Sequence, residues 1–187
     1  MITIRTERPV DEAAREALLD VAYGDIRHTK PSAKLRRGRL PAEGLALVAL
    51  ERGKMLGTVR LWNVRAGGRD ALLLGPLAVH PGARNRGIGA ALMKRALGEA
   101  ARRGHGAVIL VGDADYYGRF GFSVAKTGAL HLAAACDPAR LLACELKAGA
   151  LDGAIGAFRA TGRRIPLPAL AGLGALARRP RLIPRAA

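Results

Sequence analysis

The chain has 187 residues, a length that suits one domain with room for a short appendage. Its 31 Lys and Arg against 15 Asp and Glu give a net charge of +16, which should draw anionic substrates, acidic surfaces or polyanions. Two cysteines without metal-type spacing, 4% aromatic residues and no apolar run near the ~18 residues of a membrane span argue against a zinc site, a base-stacking platform and a spanning helix.

The N-terminal "MITIRT" alternates and is β-branched, so it reads as a first strand. No signal-peptide layout precedes it, and the expected location is the cytoplasm, with Cys136 and Cys144 as reduced thiols. "VDEAAREALLDVAYGD" follows with helical spacing at Ala13, Ala14, Ala17, Leu18, Val21 and Ala22, and acids in its first turn. Residues 25–44 form a polar connection with a short second helix, carrying Arg27, His28, Lys30, Lys34, Arg36, Arg37 and Arg39. "GLALVALERGKMLGTVRLWNV" predicts two strands joined by a hairpin at "ERGK".

After a turn at "RAGGRD", "ALLLGPLAVH" is apolar throughout, the mark of a central strand buried on both faces. Gly75-Pro76 interrupts it, which predicts a bulge or a splay where ladder bonds are missing. Residues 87–103 give the strongest helix, with Ile88, Ala91, Leu92, Ala96, Leu97 and Ala100 on one face. "AVILV" is a buried strand, "GDADYYGRFGF" a capped turn or two of helix leading into a strand, "LLACELK" a late strand, and 148–162 a final helix. The order predicts a mixed α/β sheet with a parallel crossover between the strands at 72–79 and 107–111. Domain boundaries fall at 1–162 and 163–187, because the second segment has no acid and is rich in Pro and Arg. It reads as a docked or solvated tail, with a basic membrane-surface or partner-binding arm as the alternative.

The segment "VHPGARNRGIGAALMKRAL" ends a strand, exposes glycines and arginines, and opens a helix. A helix start carries N–H groups without partners and partial positive charge. Glycines let an anion approach those amides, and arginines add forked donors. Such a turn can cradle phosphate, or it can be a tight turn with no ligand. It is not a dinucleotide fingerprint, since Leu92 stands where the third Gly belongs. It lacks a P-loop Gly-Lys-Ser/Thr ending, and neither Ser32 nor Ser123 sits in a nucleophile elbow.

"LGPLAVHPGARNRGIGAALMKRAL" resembles the acyl-CoA-binding segment of the GNAT superfamily of N-acetyltransferases, whose R/Q-x-x-G-x-G/A pattern is matched by Arg84, Gly87 and Gly89. "DADYYGRFGF" is similar to the family's Y-x-x-x-G-F element at Tyr117, Gly121 and Phe122. The resemblance covers roughly residues 2–147 and is strongest to small bacterial members with "GD-x-x-x-Y-x-R-F-G-F". It implies a mostly antiparallel sheet splayed between its central strands and flanked by helices. It implies acetyl-CoA as acyl donor, with no metal. Pantetheine would then meet the backbone at Leu77, Ala78 and Val79, and the pyrophosphate would meet Arg84, Asn85, Arg86, Gly87, Ile88, Gly89 and Ala90.

Acyl transfer to an amine of ordinary pKa near ~10.4 requires deprotonation costing roughly 4–5 kcal/mol at neutral pH. By resemblance, Tyr117 is the acid near the thioester sulfur; packing against the sheet is its other reading. Many GNAT enzymes carry an acid on the strand before the cradle, but here none lies between Asp70 and His80. Glu51, Asp70 and His80 remain as candidates, and each is better read as structural. The stretch 27–39 falls where the family builds its acceptor site. It either selects an acidic or phosphorylated amine or forms a solvated face. A homodimer is compatible with the resemblance. Two other readings stand beside the enzyme: a non-catalytic CoA-binding or sensory protein, and a basic protein that meets nucleic acid or membrane through its tail.

Overall fold

The structure, a computed structural model, describes residues 1–24, 27, 32–133 and 135–166. His28, Lys30 and nearly all of the segment expected as a tail lie outside the described residues. The chain runs β1 (Ile2–Thr6), α1 (Glu12–Tyr23), α2 (Ala33–Arg36), β2 (Ala46–Glu51), β3 (Lys54–Ala66) and β4 (Arg69–Val79). It continues with α3 (Ile88–Arg102), β5 (Ala107–Val111), α4 (Ala114–Tyr117), β6 (Leu130–His131), β7 (Leu141–Glu145) and β8 (Gly156–Ala160). The strands form one mixed sheet in the order β1-β2-β3-β4-β5-β7, with β8 joining β3 to β6. Pairing is antiparallel along β1 to β4 and between β5 and β7, and parallel between β4 and β5. The expected mixed sheet and the parallel crossover from β4 to β5 through α3 are both present, and β6 and β8 form a further parallel pair.

α3 covers one face through Ile88, Leu92, Met93, Ala96 and Ala100, which pack on Leu72, Leu74, Val108 and Leu110. Ala91, expected in that stripe, is exposed, and Met93 takes the inward place. α1 covers the other face through Leu18, Leu19 and Ala22 against Val48, Met55 and Ala78. Val21 points out, and the buried stripe includes Arg15. Arg15 is tolerated there because Glu7 and Glu16 neutralise it.

The last expected helix is absent: residues 148–162 form turns and then β8. Gly149, Gly153 and Gly156 all take positive φ, which breaks the helical path, and β8 then satisfies the free edge of β3 at Val64–Ala66. The strand expected after Phe122 reduces to an isolated bridge between Ser123 and Ala143.

Gly75-Pro76 makes the predicted bulge. Leu61 opposes Leu74 and Val59 opposes Leu77, so Gly75 and Pro76 together face Arg60. The extra residue shifts the side-chain alternation by one. Leu72 and Leu74 therefore share the α3 face with Leu77 and Val79, and Ala78 turns to the α1 face. Gly75 has φ +134°, a conformation that suits glycine.

Arg5 clamps Asp11 at the start of α1, with Nη2 to Oδ1 at 2.8 Å, and the Arg8 N–H adds a bond at 2.7 Å. The Arg5 bond outweighs burial and holds the Asp11 carboxyl down at about 2. An unfolded Asp titrates near ~3.9, so this contribution is complete above that pH and is lost as pH falls through about 2. Urea unfolding between those limits should show a smaller loss of stability with falling pH in Asp11→Asn than in the wild type.

Candidate active site

β4 and β5 pair at Leu72↔Val108 and Leu73↔Ile109 and then part. The His80 N–H donates to the Leu56 carbonyl at 2.8 Å. Antiparallel alternation then turns the main-chain groups of Ala78 toward Thr58 on β3. Those of Leu77 and Val79 point into the opening. The Leu77 carbonyl there accepts the hydroxyl of Tyr23, from the end of α1. Pro76 has no N–H to donate, and Trp62 Nε1 donates to the Gly75 carbonyl at 2.6 Å. The bulge is thus satisfied from the α1 face and leaves the opposite edge of β4 unladdered.

A cavity of about 440 Å³ lies at the start of α3, lined by Val79, Arg84, Asn85, Gly87, Gly89 and Ala90, with Tyr116 and Arg119 across it. Gly87 is the N-cap in the left-handed conformation and offers no side chain. Side chains of described residues do not cap this helix. Its first i→i−4 bond runs from Ala91 N to Gly87 O at 2.9 Å, so the N–H groups of Ile88, Gly89 and Ala90 have no intrahelical acceptor. A Cβ on Gly89 would stand 2.8 Å from Tyr116 Oη and 3.6 Å from Val79 Cγ2. Asn85 also takes positive φ, at +60°, to make the turn. Arg119 stacks on the Tyr116 ring at 4.5 Å. The sequence-predicted Arg86 does not line this cavity; it bonds Glu51 at 2.6 and 3.1 Å.

A second cavity of about 340 Å³ opens on the sheet where β4 and β5 part, bounded by Gly75, Pro76, Leu77, Leu110 and Val111 and by Tyr117. Its outer wall carries Trp62, Tyr23, Arg36 and Arg60. Arg60 bonds Glu7 at 2.8 Å through Nε. Arg27 bonds Glu16 at 2.6 Å and Asp20 at 2.8 Å. Burial works against the Glu16 carboxylate, but bonds from Arg15 and Arg27 outweigh it and keep its pKa low. Arg36 has no carboxylate within ion-pair reach among the described residues. Burial lowers its pKa, Tyr23 works against that shift, and the Arg60 charge adds to it.

Tyr117 ends α4, whose start is capped by Asp113 accepting the Asp115 N–H at 2.9 Å. Its ring meets Tyr116 edge-on at 4.9 Å and Phe122 at 6.0 Å. Gly112 makes room for it, since a Cβ there would lie 2.2 Å from the ring. Burial pushes the Tyr117 hydroxyl well above the ordinary tyrosine value, with Tyr23 and Tyr116 adding to it. The three residues considered as bases are engaged elsewhere. Glu51 holds Arg86, Asp70 bonds Arg65 at 2.9 Å, and His80 Nδ1 accepts the Gly82 N–H at 3.2 Å.

Residues 42–124 match the family model of the acetyltransferase (GNAT) domain. The chain is 32% identical over 124 residues to the uncharacterized N-acetyltransferase YhbS of Escherichia coli K12, an alignment covering 65% of this chain and 74% of that protein. The chain belongs to the GNAT family. The crystal structure of E. coli YhbS in complex with CoA matches with TM-score 0.73 and 29% identity, over 85% of this chain and 89% of that one. A GNAT acetyltransferase of Brucella melitensis in complex with acetyl-CoA matches with TM-score 0.58 and 29% identity, over 76% and 95%.

Within this GNAT fold, sequence reasoning missed Tyr23, Trp62, Tyr116 and Arg119. The pattern of α1 gives Tyr23 no role, and Tyr116, the sequence neighbour of Tyr117, turns to the cradle. One signal was legible: an Arg two residues past the tyrosine pair places a donor beside the turn, where Arg119 Nε bonds the Tyr116 carbonyl at 3.2 Å. No helix among the described residues is long and apolar enough to cross a membrane. In an ultraviolet titration, Tyr117→Phe should remove a phenolate transition that lies above the ordinary ~10. A lost transition at or below that value would contradict the buried seat.

Proposed function

We propose that this GNAT protein moves an acetyl group from acetyl-CoA to a primary amine, by direct attack of the amine on the thioester. The observation that carries the reading is an uncapped helix start set beside a strand pair that separates after two rungs. The residues fit the donor. Arg84, Asn85, Gly87, Ile88, Gly89 and Ala90 would hold its pyrophosphate, with Tyr116 and Arg119 closing the cradle. The inward main-chain groups of Leu77 and Val79 would pair with the pantetheine amides, while Ala78 stays laddered to β3. Arg86 then contributes through its pair with Glu51, which braces the turn.

Acetyl-CoA supplies an activated acyl group on a good leaving thiolate. The protein's own task is to orient, exclude water and hold one proton. Tyr117 keeps its proton at any working pH because its pKa is raised, so it can hydrogen-bond the departing thiolate, which takes up the proton that the amine sheds on acylation. A free Leu77 N–H facing the gap would polarise the acyl oxygen. Glu16 is the carboxylate on the cavity wall, and Arg15 and Arg27 hold it as a fixed anion. The amine therefore arrives neutral from solvent, and the nearby guanidiniums disfavour its charged form.

Free-CoA release across a panel of amines tests this. Gly89→Val and Arg84→Ala should each raise KM for acetyl-CoA about tenfold, the scale of one lost charge-assisted contact. Tyr117→Phe should lower kcat about a hundredfold with little change in that KM. With no carboxylate base, kcat/KM for the amine should climb about tenfold per pH unit through neutrality, following the free amine. Binding of acetyl-CoA without release toward any amine would favour a CoA-binding protein that does not turn over.

A further inference from the structure

We infer that the amine taken up at the opening between β4 and β5 carries an anionic group, carboxylate or phosphate, and that Arg36 binds it. The inference rests on the acyl-transfer reading of the same site. Arg36 closes α2, and its Nη1 lies 3.8 Å from where a Gly75 Cβ would be, directly over the bulge. Ser32, the exposed Arg37 and Tyr117 also line this wall, and its remaining polar side chains each hold a partner. Arg60 is bound by Glu7 at 2.8 Å, and Arg27 by Glu16 at 2.6 Å and Asp20 at 2.8 Å. The Trp62 N–H is used by Gly75 at 2.6 Å, and the Tyr23 hydroxyl is used by Leu77.

These groups leave apolar ring surface and the half-buried Arg36 guanidinium facing the cavity, with the exposed Arg37 beside it and no carboxylate in reach of Arg36 among the described residues. A half-buried cation without a counter-ion is a site prepared for one. Lysine-like diamines and polyamines are disfavoured, since their second ammonium would meet Arg36 and since Glu16, the carboxylate on the wall, already serves Arg15 and Arg27. An aminoalkyl carboxylate or phosphate satisfies both ends. Its anion forks onto Arg36, and its amine reaches past Gly75 toward Leu77 and Tyr117.

Matched amines decide the matter: 2-aminoethyl phosphate against ethanolamine, and 4-aminobutyrate against its carboxamide. CoA release gives kcat/KM for each. Fluorescence of Trp62, the single tryptophan, reports occupancy without turnover. The wild type should prefer the anionic member of at least one pair by about tenfold or more, and the pair that does so identifies phosphate or carboxylate. Arg36→Gln should erase that ratio, and Arg36→Lys should leave an intermediate one, with thermal midpoints checking the fold. If Arg36→Gln unfolds, the Lys variant carries the test alone, because charge without the fork should still lower the ratio. Equal use of neutral and anionic members, or a preference unmoved in both variants, would overturn the inference while leaving acyl transfer intact. Arg36-dependent quenching by the anionic amines with no CoA release would keep the anion site and remove the acyl-transfer reading. Neither quenching nor release would remove both.

Discussion

β4 and β5 hold each other at Leu72↔Val108 and Leu73↔Ile109 and nowhere further along β4, and the site is built in the space that follows. A parallel pair that separates leaves main-chain donors and acceptors without partners, a state proteins avoid unless something takes them. Here the cost is contained. Pro76 brings no N–H, the Gly75 carbonyl goes to Trp62, and the Leu77 carbonyl goes to Tyr23. The edge that remains is short and inward-facing, which suits an extended amide-bearing ligand and would not suit another strand. The sheet is sound elsewhere, since β7 covers β5 from the far side along its whole length and β3 covers β4.

The bulge also explains why two faces of the sheet converge on one reaction centre. Without the extra residue, Pro76 and Ala78 would follow Leu72 and Leu74 toward α3. With it, Leu77 and Val79 take those places, and Arg60 and Trp62 of β3 stand beside the bulge on the α1 face. The α3 face supplies the cradle and Tyr117. The α1 face supplies Tyr23, Arg36 and the clamped arginines. The chain of ion pairs from Glu7 through Arg15 and Glu16 to Arg27 then fixes the α1 wall, so that its arginines are held rather than free to sweep the opening.

The cradle was legible because glycine, arginine and the strand-to-helix switch are close in sequence, and each has a local physical reason to be there. The bulge was legible for the same reason, since Gly-Pro inside an apolar run breaks a ladder whatever surrounds it. The final helix misled because residues 148–162 are small and apolar, and composition weighs less than three glycines held at positive φ and an uncovered edge of β3. Arg15 hid in an alanine-rich helix, because its burial depends on Glu7, eight positions earlier in the connection after β1. The acceptor wall was illegible as a wall. Arg36, Arg60, Trp62 and Tyr23 come from three elements, and only the folded sheet brings them to one cavity.

The lack of an acid on β4 beyond Asp70 and the surplus of arginine around the opening are two aspects of one electrostatic arrangement. A carboxylate on the strand would attract the ammonium form of an acceptor and then have to remove its proton. In the proposed reaction a wall of guanidiniums would do the reverse: it would admit the neutral amine and stabilise an anion that the acceptor brings with it. Tyr117 fits the same arrangement, because a phenol whose pKa is raised by burial stays a donor beside those cations and is available to a leaving thiolate. Binding at the remote end of the acceptor can then be spent on placing the amine at the thioester, which is how contacts away from the reacting atoms raise kcat. In the proposed reaction positioning and charge would take the place of a base, and the geometry that would allow it is the same separation of β4 from β5.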